Sequence, residues 1–249
     1  MLVDAASGAL ALRFSLVTTG LSRYVYDNQN TRGLGLPGTH VVGTEVDPPT
    51  APADAVLAYD YAGDTYALFA ELGRDSIDGA GMPLFSTVRY CPPTGDCPYP
   101  NAFWNGNQMD YGEGMVADDV VAHEMTHGVI EHEAGLFYYM QSGAINEGLA
   151  DAFGEFVDLS NASGNDSASV RWLIGEDLPP GRLAVPLRNM RDPSALLHPD
   201  RITSPYYACG PEDYGGVHTN GGVLNKAVYL ITDGGIFNGQ SVTGLGIPK

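Results

Sequence analysis

Apolar and polar residues recur along this chain with two periods, and the change from one to the other marks its elements. Leu10, Leu12 and Phe14 alternate around the turn signal Ser7-Gly8, the pattern of two short strands between Val3 and Phe14. From Asp27 to Pro52 the periodicity gives way to Asn, Thr, Gly and Pro, so residues 21–52 read as a linker open to cleavage. Leu57, Tyr61, Thr65, Leu68 and Leu72 return at helical spacing and predict a helix from about Ala53 to Leu72, ended by Gly73. Leu84, Ser86, Val88 and Tyr90 alternate as a strand, and Gln108 to Tyr111 is expected to pair back against it.

Three helices follow in the pattern. One begins at Asp118 or Asp119, acids favourable at a helix start, and ends at Gly135, with Val121, Met125 and Val129 packing inward. The next runs from about Ala144 to Leu159 with Leu149, Phe153 and Phe156 as its buried stripe. After polar stretches at Asn161–Ser169 and Pro179–Pro186, the last is capped by Thr219 or Asn220 and reaches Thr232. Val223, Leu224, Val228, Leu230 and Ile231 on it need cover.

Composition narrows the class. A chain of 249 residues with 44% hydrophobic content can build one large or two small domains with an ordinary core. A formal charge of −18, from 30 acids against 12 bases, argues against nucleic acid or an anionic membrane as partner and leaves room for bound cations such as calcium. Cys91 and Cys97 bracket a short loop, either a disulfide staple of an oxidising compartment or half of a metal site. No second Cys or His pair stands nearby, which favours the disulfide and leaves Cys209 over.

The chemistry concentrates in His123-Glu124-Met125-Thr126-His127. On a helix the two imidazoles lie one turn apart and can reach one ion, while Glu124, about 100° further round, can reach a water at that ion. By itself the pentapeptide also suits an amphipathic helix with two partly exposed histidines. Twenty residues on, Glu147 and Asp151 are again one turn apart, so Glu147 can be a third ligand and Asp151 can hydrogen-bond a liganding imidazole. Three protein ligands and one open position describe a catalytic zinc site. His132 falls off the metal face, and His40 and His198 sit in loop-like sequence, so all three are expected at the surface.

With these motifs, Asn101-Ala102-Phe103-Trp104, Ile174-Gly175-Glu176-Asp177 and Gly215-Gly216-Val217-His218, the chain from about Asp60 onward resembles the thermolysin family of neutral metalloproteases. The two-His, one-Glu zinc set of that family is a stock example of a catalytic zinc site. The resemblance implies an α+β, zincin-like fold. An N-terminal mixed β/α subdomain (53–135) would carry the first zinc helix, followed by the beginning of a mainly helical C-terminal subdomain (136–249) left incomplete. Residues 1–20 resemble the end of an inhibitory propeptide, although an ordinary N-terminal hairpin would read similarly. A fragment explains both ends with one cause.

By the same resemblance, Tyr138 and His218 donate to the developing oxyanion, Asp213 orients His218, and Arg188 holds a substrate carbonyl. Asn101 and Ala102 belong to an edge strand that a peptide backbone can extend. Val120 and Leu187 line an apolar pocket for a bulky residue after the scissile bond. Asp119, Asp158 and Glu176 match calcium ligands, while Arg171 and Leu173 replace two further acids of the family pattern, leaving one calcium at most. The expected function is that of a secreted zinc endopeptidase, a monomer made as a zymogen with its own propeptide, in which zinc activates water and Glu124 is the general base. The alternative is a catalytically impaired zinc-binding fragment.

Overall fold

The computed structural model describes residues 2–3, 10–12, 20–180 and 186–247. Strand β1 (Leu2–Val3) pairs antiparallel with β2 (Leu10–Leu12), while the turn expected at Ser7-Gly8 and its continuation to Phe14 lie outside the described residues. A five-stranded sheet comes next, built from β3 (Arg23–Asp27), β4 (Val41–Thr44), β5 (Leu84–Val88), β6 (Ala102–Trp104) and β7 (Met109–Tyr111) in the order β4-β3-β5-β7-β6. Two of these strands correct the expectation that 21–52 is a linker. Arg23-Tyr24-Val25-Tyr26-Asp27 has the aromatic and β-branched content of a strand and buries Val25 and Asp27 on alternate positions. The Asn-, Gly- and Pro-rich stretch is the connection between β3 and β4.

The sheet is mixed. β3 and β5 run parallel, as do β5 and β7, so Met109–Tyr111 pairs with β5 as expected, in the parallel direction. The chain instead crosses through the Cys91–Cys97 loop, lays down β6, and returns antiparallel to it as β7. This leaves β6 at the sheet edge with its outer side open. Cys91 and Cys97 form the expected disulfide, with Cα atoms 5.3 Å apart, and Cys209 is free and exposed.

Helix α1 (Ala53–Glu71) packs on β3, β4 and β5. Its bounds match the periodicity, but its buried face is Ala55, Ala58, Tyr59, Ala62, Thr65, Tyr66 and Phe69, and Leu72 is exposed. Between a sheet and a neighbouring helix, small alanines allow close approach and the leucines are displaced to the flank. Helix α2 (Asp118–Glu133) packs on β6 and β7 and touches α1. Val121, Met125 and Val129 are buried as expected.

Helix α3 (Met140–Asn161) is longer than predicted and packs along α2. Its expected stripe of Leu149, Phe153 and Phe156 is only half-buried, and Glu147, Ala150, Asp151 and Glu155 are fully enclosed. The reason is steric. A Cβ on Gly154 would lie 2.8 Å from the Asp119 carbonyl oxygen, so the face toward α2 has no room for large side chains. The aromatic rings pack sideways instead, Phe153 on Phe69 and Phe156 on Trp172.

The rest closes the cleft from the other side. β8 (Leu173–Ile174) pairs with β9 (Arg188–Asn189), and α4 (Asp213–Asn220) leads through Gly221 into α5 (Gly222–Thr232). A hairpin of β10 (Gly234–Phe237) and β11 (Gln240–Thr243) follows and folds back on α5. Together with α3, it covers most of the apolar face expected to lie bare. Leu230 is buried, Val223, Leu224 and Val228 are half-buried, and Ile231 alone of the five is exposed. No helix among the described residues is long and apolar enough to cross a membrane.

Candidate metal centre and active-site cleft

Helices α2 and α3 bring three side chains to one point. His123 and His127 turn their Nε2 atoms toward each other at 3.0 Å, and Glu147 approaches with Oε2 3.6 Å from His123 Nε2 and Oε1 3.4 Å from His127 Nε2. Two ligands at the usual 2.0–2.1 Å from a tetrahedral ion stand about 3.3 Å apart, so these spans suit one zinc. The hydrogen-bond pattern leads to the same conclusion. Each ring is engaged at its far nitrogen, His123 Nδ1 by Asp151 Oδ1 at 2.9 Å and His127 Nδ1 by Asn146 Oδ1 at 2.7 Å, leaving both Nε2 lone pairs inward. Glu147 is fully buried with Oε2 unpartnered, a cost that a cation would remove.

Asp151 organises the layer beneath. It is completely buried and accepts from Arg188 Nε and Nη2, both at 2.6 Å, from Asn225 Nδ2 at 2.7 Å, and from His123. Burial would raise its pKa, but Arg188 and His123 outweigh that and hold the carboxyl well below the usual range. Burial likewise opposes charge on His123, yet the bond to Asp151 and the charge of Glu147 raise its pKa. For His127, burial and the neighbouring His123 lower it. The sequence pointed to Asp151 but not to its partner Asn225 on α5, where nothing local marks a residue that reaches across the core. Asn146 could have been found, because it directly precedes Glu147.

The predicted substrate-binding residues, with Glu124, Tyr138 and His218, line a cleft of about 920 Å³ over this centre. Glu124 Oε2 accepts the Trp104 backbone N–H at 2.9 Å, which fixes the carboxylate beside the metal ligands. Asn101 and Ala102 lie on and next to the open edge strand. Val120 and Leu187 line one end with Met115 and Ile174, two apolar residues that sequence reasoning did not single out. Arg188 is there too, its guanidinium engaged by Asp151. Tyr138 donates to Glu147 Oε1, and burial together with that carboxylate pushes its phenol well above the usual value.

His218 sits 3.2 Å from the Tyr138 hydroxyl, and its Nδ1 meets Asp213 Oδ1 at 2.6 Å. The approach to it is unusual. Asp213, Tyr214, Gly215 and Gly216 all have positive φ, at 51°, 52°, 89° and 75°. Four successive left-handed residues fold the Asp213 carboxylate back over both the backbone N–H and the ring of His218. Glycines occupy the two tightest points, where a Cβ would stand 2.6 Å from Met140 Cγ and 2.4 Å from Ala208 Cβ.

A second acidic group lies where α2 begins and α3 ends. Asp118, Asp158 and Asp177 converge with carboxylate oxygens within 4.8 Å of one another. Among the described residues the predicted trio of Asp119, Asp158 and Glu176 is not such a group; the Asp119 oxygens instead face the backbone N–H groups of Val120 and Gly175. Glu155, missed in the sequence, belongs beside them and accepts the Trp172 N–H. Burial and its acidic neighbours push Asp158 up to about 8 and Glu155 up to about 9. Arg171, expected to stand in for an ion, pairs with Asp233 instead. His40 and His132 are exposed as expected, whereas His198 is half-buried, where burial and Arg188 lower its pKa.

Residues 14–131 match the family model described as thermolysin metallopeptidase, catalytic domain, and residues 134–249 match thermolysin metallopeptidase, alpha-helical domain. A zinc metalloproteinase of Renibacterium salmoninarum is 43% identical over 217 residues, covering 79% of this chain and 39% of that protein. A bacillolysin of Bacillus cereus is 41% identical over 243 residues, covering 93% and 40%. Among solved structures, the precursor of protealysin, a metalloproteinase from Serratia proteamaculans, superposes with a TM-score of 0.69 at 38% identity, over 85% of this chain and 68% of that one. The chain spans about two fifths of the length of those curated relatives.

Proposed function

The chain belongs to the thermolysin family of metallopeptidases, and from that premise we propose that it is a zinc-dependent endopeptidase. The observation that carries this reading is the convergence of His123, His127 and Glu147 in an open cleft, with an unpartnered Glu147 oxygen and Glu124 held alongside. Zinc bound by these three residues would supply Lewis-acid activation of a water and of the peptide carbonyl.

The chain's own groups do the rest. The β6 edge offers backbone donors and acceptors to an extended peptide, and Met115, Val120, Ile174 and Leu187 give an apolar pocket to the residue after the scissile bond. Glu124, fixed by the Trp104 N–H, takes the proton of the attacking water and delivers it to the departing amine. His218, oriented by Asp213, and Tyr138 donate to the oxyanion as it forms. In this reading Glu147 would hold the zinc, and the Tyr138 hydroxyl, now bonded to Glu147, would be available to the substrate.

Two further assignments complete the proposal. A single calcium would neutralise Asp158, whose Oδ1 is buried without a partner, with Asp118 and Asp177 as neighbouring ligands and the unpartnered Glu176 Oε2 nearby. Secretion, with maturation from a propeptide, is supported by the Cys91–Cys97 disulfide and by the likeness to a protease precursor.

The test combines zinc per chain with cleavage of an internally quenched peptide. Wild type should bind one zinc and cleave, and Glu124→Gln should keep the metal and lose about 10²- to 10⁴-fold in rate. His127→Ala and Glu147→Ala should lose the metal itself. Full cleavage by Glu124→Gln, or unchanged zinc in the other two, would sink the assignment. Stoichiometric zinc without cleavage by the wild type would favour the impaired zinc-binding alternative.

A further inference from the structure

Helix α2 runs lengthwise under the cleft, and Val120, His123, Glu124, His127 and Glu131 all line it from that one helix. At 1.5 Å per residue, Val120 and Glu131 are about 16 Å apart along the axis, roughly five residues of extended peptide. The two ends differ in chemistry. At the Val120 end stand Met115, Ile174 and Leu187. At the other, one turn beyond His127, stand the Glu131 carboxylate, the Trp104 indole and the exposed Phe137 ring.

Glu131 is exposed, yet it is not a loose surface charge. Trp104 Nε1 donates to its Oε2 at 2.7 Å, which holds the carboxylate against the cleft wall beside an aromatic face. Among the described residues lining the cleft, Arg188 is the one lysine or arginine, and it is engaged by Asp151 at the apolar end. The nearby Arg74 is paired with Glu133. No basic side chain of the described cleft lining is therefore at hand to neutralise Glu131.

We propose that Glu131 is a specificity-determining residue that selects a lysine or arginine side chain on the substrate, about two residues before the scissile bond. This rests on the endopeptidase reading, with the apolar pocket taking the residue after that bond. The position follows from geometry, because Glu131 lies about 6 Å past His127, the advance of two extended residues. The aliphatic stem of the bound side chain lies against Trp104 and Phe137, and its charged head meets the carboxylate, with the indole face adding a cation–π contribution.

The competing view is that Glu131 merely props Trp104. Glu131→Gln separates the two, because the amide oxygen still accepts from the indole while the charge is gone. Quenched peptides identical except for Arg, Gln or Glu two residues before the cleaved bond should show an Arg-to-Glu ratio in kcat/KM of about tenfold at low salt for the wild type. That ratio should fall to about twofold in Glu131→Gln, and also for the wild type in about 0.5 M NaCl. An equal ratio in wild type and Glu131→Gln, or a ratio lost only in Glu131→Ala, would overturn the proposal. If no peptide is cleaved, the endopeptidase reading fails, and the inference is read separately. The Kd values of the same peptides, by fluorescence anisotropy on zinc-loaded Glu124→Gln, should show the same charge preference and lose it on addition of Glu131→Gln. An unchanged Kd ratio overturns it there too.

Discussion

Replacing Asp151 by asparagine tests the layer beneath the metal ligands most directly. The substitution keeps the shape but removes a buried charge that accepts from Arg188 twice, from Asn225 and from His123. An amide has one acceptor oxygen and must turn its NH₂ toward at least one of those donors. Arg188, mostly enclosed with its side chain 12% exposed, is left without its counter-charge, and breaking a buried pair from one side costs about 3–5 kcal/mol. The expected outcome is a fall in unfolding free energy of that size, measured by urea titration at pH 7 in a chelator so that metal affinity does not enter.

The sign of the pH dependence is fixed as well. The folded pKa of Asp151 is depressed, so its contribution is present above the unfolded value near 4 and is lost as pH falls below it. The gap between wild type and Asp151→Asn should therefore narrow in acid. The double variant Asp151→Asn with Arg188→Met should recover part of the loss, because an apolar side chain of similar volume at 188 removes the stranded charge. With metal present, zinc affinity should drop about 10- to 100-fold, since His123 loses the partner that fixes its tautomer. A cost below about 1 kcal/mol, unchanged between pH 7 and pH 3, would refute the claim that this pair is desolvated.

Other outcomes follow from the same geometry. Glu155 and Asp158 have folded pKa values raised to about 9 and about 8, so the stability they contribute is full below pH 4 and is lost as pH rises through those values. The metal-free chain should thus show a falling Tm from pH 6 to pH 9, and millimolar calcium should flatten that slope; a Tm indifferent to both would contradict the cation assignment. Gly216→Ala puts a side chain at φ 75° and 2.4 Å from Ala208 Cβ, so His218 should be displaced and kcat should fall at least about tenfold with zinc content unchanged. Unaltered kcat would mean that the left-handed approach does not position His218. An unreduced digest analysed by mass should find Cys91 joined to Cys97 and Cys209 free.

The helices were legible because their signals are local: acids at Asp118 and Asp119 open α2, and an i, i+4 pair of ligands reads directly as one helical face. Which side of a helix is buried was not. In α1 the leucines, and in α3 Leu149, Phe153 and Phe156, suggested the core face, whereas that face is alanine with Tyr59, Tyr66 and Phe69 in α1, and alanine, glycine and carboxylates in α3. Strand direction was illegible for a different reason, since alternation in β5 and β7 is the same whether they run parallel or antiparallel. The closing hairpin did carry a signal that went unread. Asn238-Gly239, both with positive φ, is the two-residue turn that joins right-twisted strands.

The site divides along the same line between local and distant. His123, Glu124, His127, Glu147 and Asp151 are set by two helical spacings, and the sequence alone picked out the residues that the structure brings together. Asn225, Glu155 and the engagement of Arg188 depend on which helices cross, and a short-period pattern holds no information about that. The calcium residues show how the two kinds of information conflict. Asp119 and Glu176 matched by position, yet the Asp119 oxygens accept the Val120 and Gly175 N–H groups, and Asp119 does not join the convergent carboxylates. Asp118, one residue earlier, points the same stretch of backbone toward Asp158 and Asp177 instead. On a helix a shift of one residue is a rotation of about 100°, enough to turn one carboxylate toward Asp158 and Asp177 and its neighbour toward Gly175. Position alone therefore groups the residues of a motif that spans whole turns, and does not separate adjacent acids at a helix start, whose carboxylates face different neighbours.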